Sequence, residues 1–514
     1  MSQQVILTVD VGTSSTKTAV WNTHGTLLAE ATSAYSLHRP DPLWAEIEAD
    51  VWWQAVGATI QQVMAQAGLE PDEVVGIGID GVGWTLIPVD REANPLAPAM
   101  IWLDRRAEEE TAWLNGLPEA PQLVNLAANP IDAAYITPKL VWLRKHQPHT
   151  FEAAYKFLAA TGFIVARFTG EFTCDYTQAY GYHFFDIANE CWDAAAAAVI
   201  GMPLEKMPRL CPTTEVVGTV TAKAAAKTGL RAGIPVIAGC LDAAVGALGA
   251  GVTRPGQTNE QGGQAGGVGI SLDRVVVEPR LIFSHHVLPR QYLLAAGTVG
   301  GGSLGWFRDQ LGQMETAVSP LIQQNPFQLF SLQANQSPPG ANGLIFLPYM
   351  AGERTPLWSS VARGVFFGLS YSSNRADILR AIMEGCAFAV YDNLQIAEEH
   401  GIIVHEYLGS GGAAQSAVWC QIKADVYGRP FVVAQRADGG EGGHSLGLFA
   451  LTAQAVGLIG DVGECVNSLL PKRRLYEPSP QNHTHYQELF QVYRSVSRKL
   501  LDDFAHLDRI RKTM

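Results

Sequence analysis

Residues 4–32 constrain the fold of this chain more than any other stretch. They read as strand, Gly/Ser/Thr turn, strand, turn at Asn22–Gly25, strand: QVILTVDVG, then TSSTKTAVWN, then GTLLAEAT. Such a pattern predicts an antiparallel meander with a polar loop at one end. Strand and helix signals then alternate, as in VVGIGID (74–80) followed by an amphipathic stretch from Asp104 to Leu117, which predicts an α/β architecture. The apolar strand at 234–238 meets Gly239, and Asp242 opens an Ala/Gly-rich segment of helical character. A second glycine-rich stretch, GQTNEQGGQAGGVGIS (256–271), stands early in the second half as DVGTSST stands early in the first, a hint of internal duplication. A chain of 514 residues exceeds the roughly 250–300 that one core supports. We therefore expect domains at 1–250 and 251–480, with a loop at 333–342 and a terminal amphipathic helix within 481–514.

Charge narrows the partners. A formal charge of −13 disfavours nucleic acid or an anionic membrane, both of which attract basic patches. Bound phosphate would have to be held locally. The seven cysteines are odd in number and free of any CxxC pair, which fits reduced thiols in a cytoplasmic protein. The first residues, MSQQVILTVDVG, carry no basic segment and lead us to expect no signal peptide, and no apolar run reaches about 18 residues.

Several residue groups suit phosphate chemistry. Asp10-Val-Gly-Thr-Ser-Ser-Thr-Lys17 puts backbone N–H groups, hydroxyls, a carboxylate and a lysine on one strand-turn-strand. It can cradle phosphate, with Asp10 facing hydrated Mg²⁺ and Lys17 offsetting charge, or be an ordinary hairpin turn. Asp242 is either a helix N-cap or a general base at a strand-to-helix junction, where α/β folds gather ligands. The clusters Gly300-Gly-Gly-Ser303 and Gly409-Ser-Gly-Gly-Ala-Ala414 read equally as turns. His285-His286 lacks a ligand partner at helical spacing and is read as structural.

Two longer motifs are more specific. GVFFGLSYSSNRADILRAIMEG (364–385) resembles the second signature of the FGGY carbohydrate kinases, and FLPYMAGERTP (346–356) resembles the xylulokinase branch of that family. GSGGAAQSAVWCQIKADVYGRP (409–430) is similar to the family's adenosine segment, and DVGTSSTK, AMIWLDRR (99–106), PKLVWL (138–143) and the frame around Asp242 extend the likeness along the chain. The resemblance implies two actin-like domains of the ribonuclease-H type with the active site in the cleft between them. It implies that Asp242 is the catalytic base, that Asp10 associates with Mg²⁺ through water, and that Gly12, Thr13 and Lys17 form the phosphate loop. It further implies that Gly411, Gly412 and Ala413 match adenosine contacts, with Ser416 nearby, and that Gly300, Gly301 and Gly302 border the nucleotide. Trp102, Asp104 and Arg105 fall in the segment that meets the sugar, and Trp102 and Trp84 are either sugar-stacking or wall aromatics.

Three positions depart from that pattern. Gly83-Trp84 replaces a QMHG-like segment, Ala243 replaces a polar residue after the base, and the second phosphate loop reads Gly263-Gln264-Ala265-Gly266, without hydroxyls. A sugar-facing hydrogen bond is thus missing at each of the first two sites, which bears directly on specificity. The expectation is a kinase taking MgATP and a ketose, D-xylulose first, to the sugar phosphate, as a homodimer by resemblance. Another polyol, ketose or sugar acid (erythritol, ribulose, gluconate), a catalytically weakened sugar-binding homologue and an actin-like ATPase stay open.

Overall fold

The opening meander forms as its polar turns dictate. In the computed structural model, which describes residues 4–263, 265–440 and 442–513, Val5–Val11 (β1), Ser15–Asn22 (β2) and Leu27–Ala34 (β3) pair antiparallel in turn. Helix Ala49–Ala67 (α1) lays Trp52, Val56, Ile60 and Val63, spaced three or four apart, against β2 and β3. Strand Val74–Gly81 (β4) then pairs parallel on the free side of β1. Val216–Thr219 (β5) and Pro235–Ile237 (β6) complete the sheet in the order β5-β6-β4-β1-β2-β3.

Gly239 follows, with φ +79°. A Cβ there would lie 2.1 Å from the Ile79 carbonyl oxygen, so only glycine lets the chain step sideways and resume along β4. It resumes as the two-residue strand Cys240–Leu241 (β7), parallel to the end of β4, and passes into helix Asp242–Gly249 (α2).

The second half repeats the plan. Gln257–Gly262 (β8) and Ala265–Leu272 (β9) pair antiparallel; Ile282–His285 (β10) and Tyr292–Val299 (β11) extend that side. Glu406–Ser410 (β12) joins β8 in parallel, Phe431–Gln435 (β13) joins β12 in parallel, and Lys472–Tyr476 (β14) closes the edge antiparallel. The run β11-β9-β8-β12-β13-β14 therefore matches β3-β2-β1-β4-β6-β5 strand for strand and sense for sense. The hint of duplication corresponds to a duplicated sheet, giving the two like domains that the resemblance implies.

The signature helix, Arg375–Glu399 (α3), starts at a capping box in which Asn374 accepts the Asp377 N–H and Asp377 accepts the Asn374 N–H; it packs beneath β9 and β11. Of residues 333–342, the first two still belong to helix Pro326–Ala334, which has its own capping box at Asn325. The terminal segment forms two helices, Pro480–Lys499 and Leu501–Thr513, the first burying Tyr486, Phe490 and Tyr493 against Phe388. All seven cysteines are unpaired thiols. Among the described residues no helix is long and apolar enough to cross a membrane.

Helix Gly443–Ala455 (α4) belongs to the second half of the chain yet packs on α2, β1 and β4 of the first. The approach is backbone to backbone: a Cβ on Gly249 would lie 1.8 Å from the Gly443 carbonyl oxygen, and one on Gly447 would lie 2.5 Å from that of Val245. Ser445 pins the first turn, accepting from Trp21 Nε1 at 2.8 Å and lying 2.9 Å from Thr8 Oγ1. Gly249→Ala is therefore expected to lower Tm by several degrees through an overpacking cost of about 1–3 kcal/mol. Gly305→Ala, in a helix where an added Cβ meets nothing within 4 Å, is expected to leave Tm unchanged or slightly raised. Scanning calorimetry of the two variants checks the contrast, and equal midpoints would contradict it.

Candidate active site

Three neighbouring strands deliver three carboxylates to one corner. Asp10 near the end of β1 is in register with Asp80 near the end of β4, Asp80 is in register with Cys240 of β7, and Asp242 follows two residues on. All three strands run parallel, and ligands of α/β sheets gather beyond such carboxyl ends. Asp80 is wholly buried and neither of its carboxylate oxygens has a hydrogen-bond partner. Burial, then the neighbouring charge of Asp10, holds it well above the usual carboxylate range.

Asp242 occupies the first helical position of α2. Leu241 stands at the N-cap, so the capping reading of Asp242 gives way. Its Oδ1 accepts the Ala243 N–H at 2.6 Å, and burial, opposed by His444 and reinforced by Asp10, pushes the group up to about 6. His444, in the first turn of α4, places Nδ1 3.4 Å from Asp10 Oδ2 and 3.7 Å from Asp80 Oδ2. Burial alone would depress this imidazole; the contact with Asp10 and the charges of Asp10, Asp80 and Asp242 lift it to about 10.

Two cavities adjoin at this corner. One of about 470 Å³ is lined by Asp10, Lys17, Gly246, Ser410, Gly411 and Arg436. The other, about 350 Å³, is lined by Thr13, Trp84, Trp102, Tyr180, Asp242 and Arg354. Asn259, Gln261, Gly263 and His444 line both, so the pair is one cleft, with Asp10 on the first cavity and Asp242 on the second.

The sequence-derived residues divide between cleft and scaffold. Gly12 shapes the first turn, donating its N–H to the Ser15 carbonyl at 3.0 Å and accepting the Tyr35 hydroxyl at 2.7 Å. Thr13 Oγ1 accepts from Trp102 Nε1 at 3.0 Å, which ties that turn to the second cavity. Lys17 stands opposite Asp10 across β1 and β2. Gly263 accepts the Gly301 N–H at 2.8 Å, and Gly411 packs its backbone on Gly262, so the two glycine segments meet; Gln264 lies outside the described residues. Gly302 begins a helix, and Gly412 and a buried Ala413 form a turn behind Gly411. Ser416 caps the following helix by accepting the Trp419 N–H and pairs with Ser331.

Asp104 and Arg105 do not reach the cleft. Asp104 is wholly buried and saturated by the Arg106 guanidinium and the Ala45 N–H, while Arg105 makes a two-pronged ion pair with Asp132 at 2.6 and 2.8 Å. Neither is among the residues that line the two cavities, although the resemblance puts both in the segment that meets the sugar. The cation that does face the cavity is Arg354, its guanidinium 5.0 Å from the Trp102 ring and lying over Gly297, where a Cβ would come within 2.6 Å. Sequence reasoning also missed Asp80, His444 and Tyr180. Asp80 had a signal, an aspartate closing an apolar strand just as Asp10 does; His444 had none. His285 keeps its structural reading, set among the rings of Tyr176, Phe185 and Tyr292.

The second cavity has a rigid aromatic wall. Trp84 lies 4.3 Å from Tyr135 and 5.6 Å from Tyr180, centroid to centroid. Behind it the buried Lys139 donates to the carbonyls of Trp84, Ile101 and Ala134, each at 2.7 Å, so the three N–H groups of one ammonium tie the wall segments together.

Comparison with known proteins agrees with this geometry. Residues 5–249 match the FGGY family of carbohydrate kinases, N-terminal domain, and residues 277–449 match its C-terminal domain. The chain is 29% identical over 496 residues to a xylulose kinase of Escherichia coli, covering 96% of this chain and 98% of that protein. It is 25% identical over 516 residues to a gluconokinase of Bacillus licheniformis, covering 99% and 98%. The crystal structure of a xylulose kinase from Rhodospirillum rubrum superposes with a TM-score of 0.85 at 27% identity, covering 98% of this chain and 100% of that one.

Lys139→Met would leave the buried carbonyls of Trp84 and Ala134 unpaired at about 1–3 kcal/mol each, the Ile101 carbonyl keeping the Asp104 N–H, and is expected to lower Tm sharply. Lys139→Arg is expected not to restore it, because a planar guanidinium cannot aim at three converging acceptors. Thermal unfolding of both variants is the check, and an unchanged Tm in Lys139→Met would contradict the clamp.

Proposed function

The chain belongs to the FGGY family of carbohydrate kinases, and from that premise we propose that it phosphorylates a ketose, D-xylulose to D-xylulose 5-phosphate, with Asp242 as general base. The observation that carries this reading is the position of Asp242 on the aromatic cavity, which shares Asn259, Gln261, Gly263 and His444 with the glycine-lined one. In the proposed reaction an acceptor hydroxyl held against Trp84 and Trp102 gives its proton to Asp242 as its oxygen attacks the γ-phosphorus of ATP, and ADP leaves. Gly12 and Thr13 on one side and Gly263 and Gly411 on the other would hold the phosphates, with Lys17 offsetting their charge. The half-buried carboxylate of Asp10, open to the glycine-lined cavity, suits Mg²⁺ held through water; when bound, that ion neutralises phosphate charge. Ser416, Gly301 and Gly302 would support this wall from behind.

The names of the xylulose kinase relatives support D-xylulose as acceptor. Arg354 favours a second reading, a sugar acid, because it gives the acceptor cavity a cation that could meet a carboxylate, and a gluconokinase stands among the relatives. Release of ADP measured across pentuloses, polyols and sugar acids separates them. Activity with gluconate and none with D-xylulose would overturn the ketose; no acceptor raising the rate would overturn the proposed phosphoryl transfer by this chain.

Asp242→Asn is expected to lower kcat about 10²–10⁴-fold with Tm and nucleotide binding retained; loss of less than tenfold would remove Asp242 from its role. Since the base acts deprotonated and its folded pKa is raised to about 6, kcat/KM is expected to fall as pH drops through about 6. A profile flat down to pH 4.5 would contradict it.

A further inference from the structure

The corner that holds Asp10 contains more than one acid needs. Among the described residues Asp10, Asp80 and His444 form the group whose donor atoms all lie within 4.8 Å of one another. We propose that these three side chains ligate a divalent transition-metal ion directly, before any nucleotide arrives, through Asp10 Oδ2, an oxygen of Asp80 and Nδ1 of His444.

Geometry is the first support. Ligands about 2.1 Å from a metal stand about 3.0 Å apart at the edges of an octahedron and about 3.4 Å apart at those of a tetrahedron. The observed separations of Nδ1 from the two carboxylates are 3.4 and 3.7 Å, at or somewhat beyond the tetrahedral edge, and the three donor atoms lie within 4.8 Å of one another, so small side-chain rotations bring them to one ion. The same separations are long for N–H···O⁻ bonds, which run about 2.7–2.9 Å. At that length an imidazolium acts on the two acids chiefly through its charge.

The second support is independent of the cluster's composition. Asp80 is wholly buried, and both of its oxygens lack a hydrogen-bond partner while a second carboxylate stands beside it in register. A bare buried carboxylate costs several kcal/mol, and the opening it faces contains Asp10 and His444. A divalent ion held by the three side chains would give the Asp80 carboxylate a direct partner, which the imidazole at 3.7 Å does not. The imidazole also packs closely on α2, since a Cβ on Gly246 would come within 2.6 Å of His444 Cδ2 and 2.8 Å of its Nε2.

The nitrogen ligand sets the chemical class. Mg²⁺ prefers all-oxygen shells and keeps its water, whereas Mn²⁺ and later divalent ions accept imidazole beside carboxylates. The site thus differs from a water-held Mg²⁺ at Asp10 alone. It depends on neither the acceptor sugar nor the base assigned to Asp242.

The test uses the full-length, nucleotide-free protein and Mn²⁺ as probe, with the free ion followed by electron paramagnetic resonance. One Mn²⁺ per chain is expected, at least about tenfold tighter than Mg²⁺, with a spin-echo coupling to one imidazole nitrogen. Asp80→Asn and His444→Ala are each expected to weaken Mn²⁺ by at least tenfold and to abolish the rise in Tm that Mn²⁺ gives the wild type. His444→Ala should also lose the nitrogen coupling. Metal-free Tm and circular dichroism establish that each variant is folded, and either folded variant alone decides the matter. Mn²⁺ binding only when nucleotide is present, binding no tighter than Mg²⁺, or unchanged affinity in a folded variant would overturn the site.

Discussion

Like charges gathered at the ends of neighbouring parallel strands are the constraint around which the molecule is arranged. Asp10, Asp80 and Asp242 are brought together by backbone pairing, not by attraction, and burial removes the water that would screen them. The cost appears as raised pKa values at Asp80 and Asp242 and as a lifted imidazole at His444. Such a corner is unfavourable in an empty protein and favourable to anything positive. It is the electrostatic inverse of the glycine loops around it, whose N–H groups suit anions.

That corner exists only because the two halves meet there. Helix α4 crosses α2 on glycines, so the second half supplies His444 to a sheet built wholly by the first. The same joint sets Gly411 and Gly263 facing Asp10 across the first cavity. A small rotation about it would change the distance between the acceptor wall and the phosphate wall, which is how a cleft of this kind excludes water when it closes.

Much of the scaffold was legible in the sequence, for local reasons. The meander, the kink at Gly239 and the helix begun at Asp242 depend on turn chemistry and short-range patterning, and they appear where those signals lie. The site was only half legible. Asp10 and Asp242 carried motif frames, but Asp80 becomes meaningful only through its register with Asp10, and His444 only through a helix crossing between distant segments. Asp104 and Arg105 show the converse. Sequence proximity to the acceptor segment does not say which way a side chain points, and here Arg106 and Asp132 claim them. Where the QMHG-like histidine is missing, Trp84 fills the wall by packing on Tyr135 and Tyr180, and Arg354 lies over the Trp102 ring on the same cavity.

The central claim is that a hydroxyl in the aromatic cavity is phosphorylated across the carboxylate corner. Phosphorus-31 magnetic resonance of the purified protein turning over ATP with D-xylulose tests it most directly. The account predicts a sugar phosphomonoester signal growing in step with ADP. Inorganic phosphate growing in its place, with no ester from any ketose or sugar acid supplied, would contradict it.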